Sequence, residues 1–287
     1  MAKKKNRSAA SRRAEHPNKT GVAGGVYPIS TGEAELVPDG YHADGWLLLI
    51  NGVQSSHVIV GQPRMLDFEY MRWIAAVLDS HIQTHLNPEK LRITHLGGGA
   101  CSLARYCADV YPNSRNTVVE LDAKLAEYVR DWFDIPKSPR VKIRVGDAGT
   151  VTRSFAPASR DVVIRDVFAV DKTPAELTGV DFVRTVDNSL APGGLYILNC
   201  GDDRALNAAR AEATALLEVF EYVSIVADSA MLKGRRRGNI ILAGSHAPLP
   251  QLGSAEAASI SRVLMGGGVP AQYWDTEKVR VFARKGA

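Results

Sequence analysis

The pattern of apolar and polar residues changes twice along the chain. Up to about residue 61 the apolar residues fall in short runs, and Asn51-Gly52 between two of these runs predicts a β-hairpin. From Met65 to Leu78 apolar residues recur at helical spacing. We therefore predict a small antiparallel β-domain over residues 21–62 and a second domain over residues 63–287, which begins with this helix.

From Leu91 onwards, short apolar runs of the β type alternate with segments of helical periodicity. The predicted strands are, in chain order, 91–96, 116–120, 141–145, 161–164, 195–198, 222–227 and 239–243. Such alternation is typical of an α/β fold, here a mostly parallel seven-stranded sheet with helices on both faces. The last two strands are joined too briefly for a crossover helix, so we expect them to be antiparallel at one edge. The stretch from Ser254 is predicted only as helix and loop.

The composition of the chain says more about its location in the cell than about its fold. The chain has 287 residues, of which 45% are hydrophobic and 23% charged, which indicates a globular protein. Its three cysteines do not make a disulfide framework. No apolar stretch approaches the ~18 residues of a membrane span, and no apolar segment of a secretory signal follows the basic start. We therefore predict a cytoplasmic protein without membrane contact.

Positive charge is concentrated in the first twenty residues. This segment holds seven lysines and arginines against one acid, Glu15, a net charge of +6, whereas the full chain carries +4. Residues 21–287 therefore carry −2. Such a basic segment can contact nucleic acid or acidic lipid, but we favour a disordered, solubilising tail, because polar chain ends of this kind are common.

The clearest chemical signal is Gly97-Gly98-Gly99, at the junction of the first strand of the alternating region with its helix. Glycines there let a ligand approach the backbone N–H groups of a helix N-terminus. Glu120 ends the second strand and can accept hydrogen bonds from both hydroxyls of a ribose. Asp147 follows the third strand and can accept one from an adenine amine. Together they favour a single adenosine nucleoside; the alternative is a tight turn with two unrelated acids.

These motifs resemble, in order and spacing, those of the spermidine synthases (polyamine aminopropyltransferases), a branch of the class I S-adenosylmethionine-dependent folds. The matching segments are Asn51-Gly52-Val53-Gln54, Gly97-Gly98-Gly99, Val119-Glu120-Leu121-Asp122, Gly146-Asp147, Asp161 to Asp166, Pro174 to Leu177 and Ala191 to Gly194. The resemblance implies a Rossmann-like domain after a small β-domain, and a homodimer. It also implies a nucleoside site formed by Gln54, Gly97, Gly98, Gly99, Glu120, Asp147 and Ala148.

The resemblance implies aminopropyl transfer, in which an amine attacks the carbon beside the sulfonium of decarboxylated S-adenosylmethionine and methylthioadenosine leaves. Asp166 matches the family's catalytic Asp, which holds and deprotonates the polyamine acceptor. Arg165 precedes Asp166 on the strand. Because successive side chains of a strand point to opposite faces of the sheet, the side chain of Arg165 is expected to point away from the site. No metal is expected.

Several family positions hold other residues here. By register, Phe68 replaces the Tyr and Tyr70 the Glu of the family's Tyr-x-Glu-Met, and Ala169 replaces a second Asp, with Asp171 nearby. Ala100 replaces the loop Asp that holds the ammonium of decarboxylated S-adenosylmethionine and repels the carboxylate of ordinary S-adenosylmethionine. Three functions stay open: aminopropyl transfer with a degenerate amine site, methyl transfer from ordinary S-adenosylmethionine, and nucleoside binding without catalysis.

Three other features allow a functional and a structural interpretation. His81 and His85 are spaced for one helix face, but without an evident third ligand we favour a polar helix end over a metal site. Cys101 begins a helix, where the pKa of a thiol can fall, and we favour plain packing. Asp202-Asp203 could bind an amine or cap the following helix.

Overall fold

The computed structural model describes residues 22–169 and 172–284. The basic segment 1–20 and Asp171 therefore lie outside the described residues. The described chain forms a four-stranded antiparallel sheet followed by an eight-stranded mixed sheet with helices packed against it. The predicted α/β class, with the small antiparallel sheet first, is confirmed.

The small sheet pairs its strands in chain order. They are β1 (Gly25–Ile29), β2 (Gly32–Pro38), β3 (Gly45–Ile50) and β4 (Val53–Ile59). Asn51 and Gly52 have φ values of 50° and 77° and form the predicted turn between β3 and β4, because the tight turns of hairpins favour residues that tolerate positive φ.

The small sheet shares a hydrophobic cluster with the rest of the molecule. Buried side chains of its strands, such as Leu36 and Trp46, belong to one cluster with Ala104 and Leu125 of the second unit. A polar contact crosses the same boundary, because the N–H and the Oγ1 of Thr31 donate to Oδ2 of Asp122 over 2.6 and 2.9 Å. The small sheet is therefore packed onto the larger unit.

The large sheet has the order β12-β10-β11-β9-β8-β5-β6-β7. Its strands are β5 (Arg92–Leu96), β6 (Arg115–Glu120), β7 (Val141–Val145), β8 (Arg160–Arg165), β9 (Leu190–Asp202), β10 (Tyr222–Asp228), β11 (Gly238–Ser245) and β12 (Ala271–Trp274). The five neighbouring strands β9, β8, β5, β6 and β7 are parallel to one another. From β5 the chain first builds outwards to β7 and then crosses back to β8. The crevice at the carboxyl ends of β5 and β8 is therefore the expected place for a ligand.

The sheet contains one strand more than the seven predicted. Strands β10 and β11 form the predicted antiparallel pair, but β12 pairs outside β10 and is the edge strand. The four residues of β12 are too few for an alternating pattern to distinguish them from a loop. Their conformation depends on pairing with Ile225–Asp228, which lies more than 40 residues earlier in the chain.

The helices are α1 (Glu69–His85), α2 (Ser102–Val110), α3 (Ala123–Trp132), α4 (Ala148–Arg153), α5 (Gly179–Ser189), α6 (Asn207–Val219), α7 (Ser229–Leu232), α8 (Ala255–Met265) and α9 (Thr276–Arg284). Ala175–Leu177 forms a short 3-10 turn, and α5 begins separately at Gly179, which has a φ of 77°. In the described parts of the chain, every helix is too short or too polar to cross a bilayer.

Candidate functional site

The glycine loop, residues 97–99, leaves the carboxyl end of β5 and leads into α2. Gly97 and Gly99 have φ values of 93° and 47°, and side chains are strained there. A Cβ atom at Gly97 would lie 2.2 Å from the carbonyl oxygen of Asp166, and one at Gly98 would lie 2.7 Å from Oε2 of Glu120. The loop is therefore packed against two of the acids that the sequence assigned to the site.

Glu120 is held at the end of β6 by backbone N–H groups. Its Oε2 accepts from Gly98 and Gly99 over 3.0 and 3.2 Å, and its Oε1 accepts from Asp122 over 2.9 Å. Burial raises the pKa of Glu120, and these N–H groups offset part of that rise. A carboxylate offers about four acceptor positions. Three of them are used by these N–H groups, so one is left, on Oε1. To accept both hydroxyls of a ribose, Glu120 must therefore give up one of its hydrogen bonds to the glycine N–H groups.

Asp147, Ala148 and Gln54, the other predicted nucleoside residues, do not line the cavity beside the glycine loop. Asp147 follows β7 and caps α4, because its Oδ1 accepts from the N–H of Thr150 over 2.7 Å, and this bond lowers its pKa. Its side chain is exposed, whereas Ala148 is buried behind it. Gln54 is exposed on β4 opposite Leu49, and a β-bulge separates it from Ser56, which stands opposite Leu48.

Strand β4 closes the crevice from the side of the small sheet. The Oγ of Ser56 accepts from the N–H of Ala100 over 3.0 Å. A cavity beside this contact is lined by Ser55, Ser56, the glycine loop, Met71 of α1 and Asp166. Among the described residues that line it, Asp166 is the only one with a carboxylate.

Asp166 follows β8 directly and is held from two sides. Its Oδ1 accepts from Nδ2 of Asn199 over 2.9 Å, and its Oδ2 accepts from the hydroxyl of Tyr70 over 3.0 Å. Burial raises the pKa of Asp166, while these two hydrogen bonds and the charge of Arg165 act against the rise. An oriented carboxylate with a raised pKa suits a base that takes a proton from an amine.

Tyr70 supplies the phenol that the replacement of a Tyr by Phe68 was expected to remove. Phe68 stands where the resemblance places a Tyr, but the hydroxyl of Tyr70, in the first turn of α1, reaches Asp166 instead. Burial and the charge of Asp166 raise the pKa of Tyr70 well above its usual value, so the phenol stays neutral and donates. The rings of Phe68 and Tyr70 lie 6.0 Å apart.

Asn199 is a site residue that the sequence analysis missed. It lies on β9, where its neighbour Leu198 pairs with Arg165 of β8, so it stands beside Asp166. It is almost fully buried, and its Oδ1 has no hydrogen-bond partner within the described residues. No motif marks it, and the only signal in the sequence is a polar residue in an apolar strand.

The structure also places the other amine-side positions named in the sequence analysis. Ala100 carries no carboxylate and is fully buried in the hydrophobic cluster shared with the small sheet, where it does not line the cavity. Ala169 is exposed beside the undescribed residues 170 and 171. Arg165 points to the opposite face of the sheet, as expected, and forms a buried ion pair of 2.5 Å with Glu212.

The histidine pair and Cys101 have structural roles. Nε2 of His81 lies 2.8 Å from the carbonyl oxygen of Gly193, and Nε2 of His85 lies 2.8 Å from that of Pro248. Each of these nitrogens is thus engaged by backbone. Burial raises the pKa of Cys101 to about 12, which fits packing and not reactivity.

Asp202 binds an N–H group in the first turn of α6, whereas Asp203 binds one in the turn that precedes the helix. Oδ2 of Asp202 accepts from the N–H of Ala209 over 2.7 Å, and Oδ1 of Asp203 accepts from that of Ala205 over 2.8 Å. Of the two interpretations that the sequence left open, these contacts favour the helix cap.

No protein-family model matches the chain. Curated relatives match in part. A region of 128 residues is 33% identical to the mouse eEF1A lysine and N-terminal methyltransferase, covering 41% of this chain and 18% of that protein. A region of 140 residues is 26% identical to the polyamine aminopropyltransferase of Vibrio vulnificus (strain CMCP6), covering 48% and 45%. The chain thus matches less than half the length of each of these two relatives.

The solved structures give a match along almost the whole chain. The crystal structure of a probable spermidine synthase from Corynebacterium glutamicum ATCC 13032 is 58% identical, with a TM-score of 0.89. The match covers 91% of this chain and 94% of that one, so it includes both sheets and the crevice between them. With this identity and coverage, and with the glycine loop, Glu120 and Asp166 meeting in one crevice, the chain belongs to the spermidine synthase family.

Proposed function

We propose that this protein transfers an aminopropyl group from decarboxylated S-adenosylmethionine to an amine, with Asp166 as the base. The observation that carries the proposal is the Asp166 carboxylate, held by Tyr70 and Asn199 over 3.0 and 2.9 Å beside the glycine loop. Membership of the spermidine synthase family and the likeness to a polyamine aminopropyltransferase support it.

The nucleoside is assigned to the glycine-loop half of the crevice. Gly97, Gly98 and Gly99 allow it to approach the backbone, and Glu120 binds the ribose. The exposed Asp147 accepts from the adenine amine, with Ala148 behind it and Gln54 on β4. The reacting carbon then lies toward the cavity that Asp166 lines.

The reaction needs an uncharged amine nitrogen next to that carbon. Asp166 accepts a proton from the bound ammonium, and the freed lone pair forms the new N–C bond. The C–S bond breaks, its electron pair stays on sulfur, and neutral methylthioadenosine leaves. Tyr70 and Asn199 act on this step by holding each carboxylate oxygen in place.

Methyl transfer from ordinary S-adenosylmethionine is the second candidate. The observation that favours it is Ala100, where no carboxylate repels that of ordinary S-adenosylmethionine. The partial likeness to the mouse methyltransferase points the same way. The same base would serve, but the amine would attack the methyl carbon and S-adenosylhomocysteine would leave.

One assay separates the candidates. The full chain is incubated with either nucleoside and with putrescine, cadaverine or spermidine, and both nucleoside products are followed by mass spectrometry, with Asp166→Asn as control. Amine-dependent methylthioadenosine that the control loses supports the proposal, whereas S-adenosylhomocysteine supports methyl transfer. Neither product, with the nucleosides still bound, contradicts both and leaves a binding protein.

The homodimer and the cytoplasmic location stay predictions. Light scattering on the purified chain measures the first, and fractionation of the source cells measures the second.

A further inference from the structure

Three side chains of the metal-ligating kind meet in the small sheet, outside the nucleoside crevice. Asp39 and His42 lie in the turn between β2 and β3, and His57 lies on β4. Oδ2 of Asp39 is 2.7 Å from Nδ1 of His42 and 3.1 Å from Nε2 of His57. The ligand atoms of the three residues all lie within 4.8 Å of one another, so a small shift brings them around one ion.

The turn that carries Asp39 and His42 is fixed by its own backbone. The N–H of Asp39 donates to the carbonyl of Gly45 over 2.8 Å, and the N–H of Gly45 donates to that of His42 over 2.9 Å. The N–H of Tyr41 donates to Oδ1 of Asp39 over 2.9 Å, which leaves Oδ2 facing the two imidazoles. A hydrogen bond on the second oxygen of a ligating carboxylate is a regular feature of metal sites.

The donor set and its exposure define the kind of ion. Two imidazoles and one carboxylate suit Zn²⁺ and related divalent transition metals better than Ca²⁺ or Mg²⁺, which prefer oxygen. The side chains of Asp39 and His57 are 10% and 7% exposed, whereas that of His42 is 42% exposed. The cluster is therefore closed from the core side and open at His42, where an ion can enter.

We propose that Asp39, His42 and His57 bind one divalent transition-metal ion, with Zn²⁺ as the best match, and that this ion ties the β2–β3 turn to β4. When Nε2 of His57 binds the ion, its Nδ1 carries the ring proton. That atom is buried without a hydrogen-bond partner among the described residues. Because such a missing partner costs metal sites about 10- to 100-fold in affinity, we expect moderate binding.

The proposed site borders the nucleoside crevice through β4. The carbonyl of His57 accepts from Oγ of Ser102 over 3.0 Å, and the preceding Ser56 binds the N–H of Ala100. An ion at His57 would thus stiffen the strand that supports the glycine loop. The metal proposal itself does not depend on the proposed transferase activity, and its test uses no substrate.

The test is a titration of the full chain with metal alone. The protein is stripped with a chelator, dialysed and titrated with ZnCl₂ in a calorimeter, and a parallel sample receives Co²⁺ for its visible absorption spectrum. The matched control is His246→Ala, because Nε2 of His246 also faces a carboxylate, Oδ1 of Asp187, over 3.0 Å but has no third ligand among the described residues.

We expect wild type and His246→Ala to bind one ion and to melt at a higher temperature with Zn²⁺, whereas His42→Ala binds at least tenfold more weakly and shows no such rise. Asp39→Asn, which keeps the shape of the side chain, is the second variant in case His42→Ala does not fold. Wild-type protein that binds no stoichiometric ion overturns the proposal. So does a folded His42→Ala or Asp39→Asn chain that binds as tightly as His246→Ala.

Discussion

The two halves of the crevice are built in different ways. In the nucleoside half, Glu120 is held by three backbone N–H groups, and the glycine loop leaves no room for side chains. In the amine half, side chains from three separate elements hold one another, namely Tyr70, Asp166 and Asn199. A site built from backbone groups depends on one local sequence motif. In a site built from side chains, the phenol can come from position 70 instead of position 68 without a change of fold.

The largest effect is expected from Asp166→Asn in the amine half. Asparagine cannot take the proton from the amine, so product formation at saturating nucleoside should fall by about 10²- to 10⁴-fold. Nucleoside affinity, measured by calorimetry, should stay within about twofold, because the two halves are held independently. A large loss of nucleoside affinity in Asp166→Asn would show that the two halves of the crevice depend on each other, which would contradict the division made above.

Glu120→Gln should act on the other half only. The amide keeps one acceptor oxygen but turns its NH₂ group toward N–H groups that now lack a partner. The loss of charged hydrogen bonds should weaken nucleoside binding about 10- to 100-fold. The rate at saturating nucleoside should be close to that of wild type, and a rate that falls as far as in Asp166→Asn would contradict the division.

Tyr70→Phe tests whether the displaced phenol matters. Burial raises the pKa of Asp166 and the Tyr70 hydroxyl lowers it, so removing the hydroxyl should raise this pKa further. Since the base must be deprotonated, the acidic limb of kcat/KM should move to higher pH, and the rate should fall about tenfold. Phe68→Leu is the matched control, and an equal shift of the limb there would argue against Tyr70.

The smallest effect is expected from Asp147→Asn. Asparagine caps a helix about as well as aspartate, so the melting temperature should not change. The loss of the charge should reduce nucleoside affinity by only about two- to fivefold, because the side chain is exposed. A loss as large as that of Glu120→Gln would mean that Asp147 is buried by the ligand.

Much of the fold could be predicted from the sequence, because burial on a sheet or one helix face leaves a local pattern. Strands β5, β6, β7 and β8 were predicted to within one residue at each end in this way, whereas β9 extends beyond the predicted 195–198 at both ends. Strand β12 could not be predicted, since its four residues are extended only because they pair with β10. Helix α4 could not be predicted either, because its six residues are too few to show helical periodicity. It begins where Asp147 caps it.

The site divides along the same line. The motif around Gly97, Gly98, Gly99 and Glu120 placed these residues at one edge, and the structure brings them into contact. The contact between Tyr70 and Asp166 joins residues 96 positions apart and depends on how α1 packs. Asn199 and the cluster of Asp39, His42 and His57 arise likewise from packing between distant strands and turns.

The hydrophobic cluster that the two sheets share has a consequence for how the molecule unfolds. Leu36 and Trp46 lose their cover if the second unit opens, and Ala104 and Leu125 lose theirs if the small sheet detaches. Within the described residues, the small sheet therefore has no core separate from the second unit, although the second unit also has a cluster of its own. Heating should give a single cooperative transition, with equal calorimetric and van't Hoff enthalpies, and a nucleoside bound at the loop should protect the small sheet from proteolysis as well.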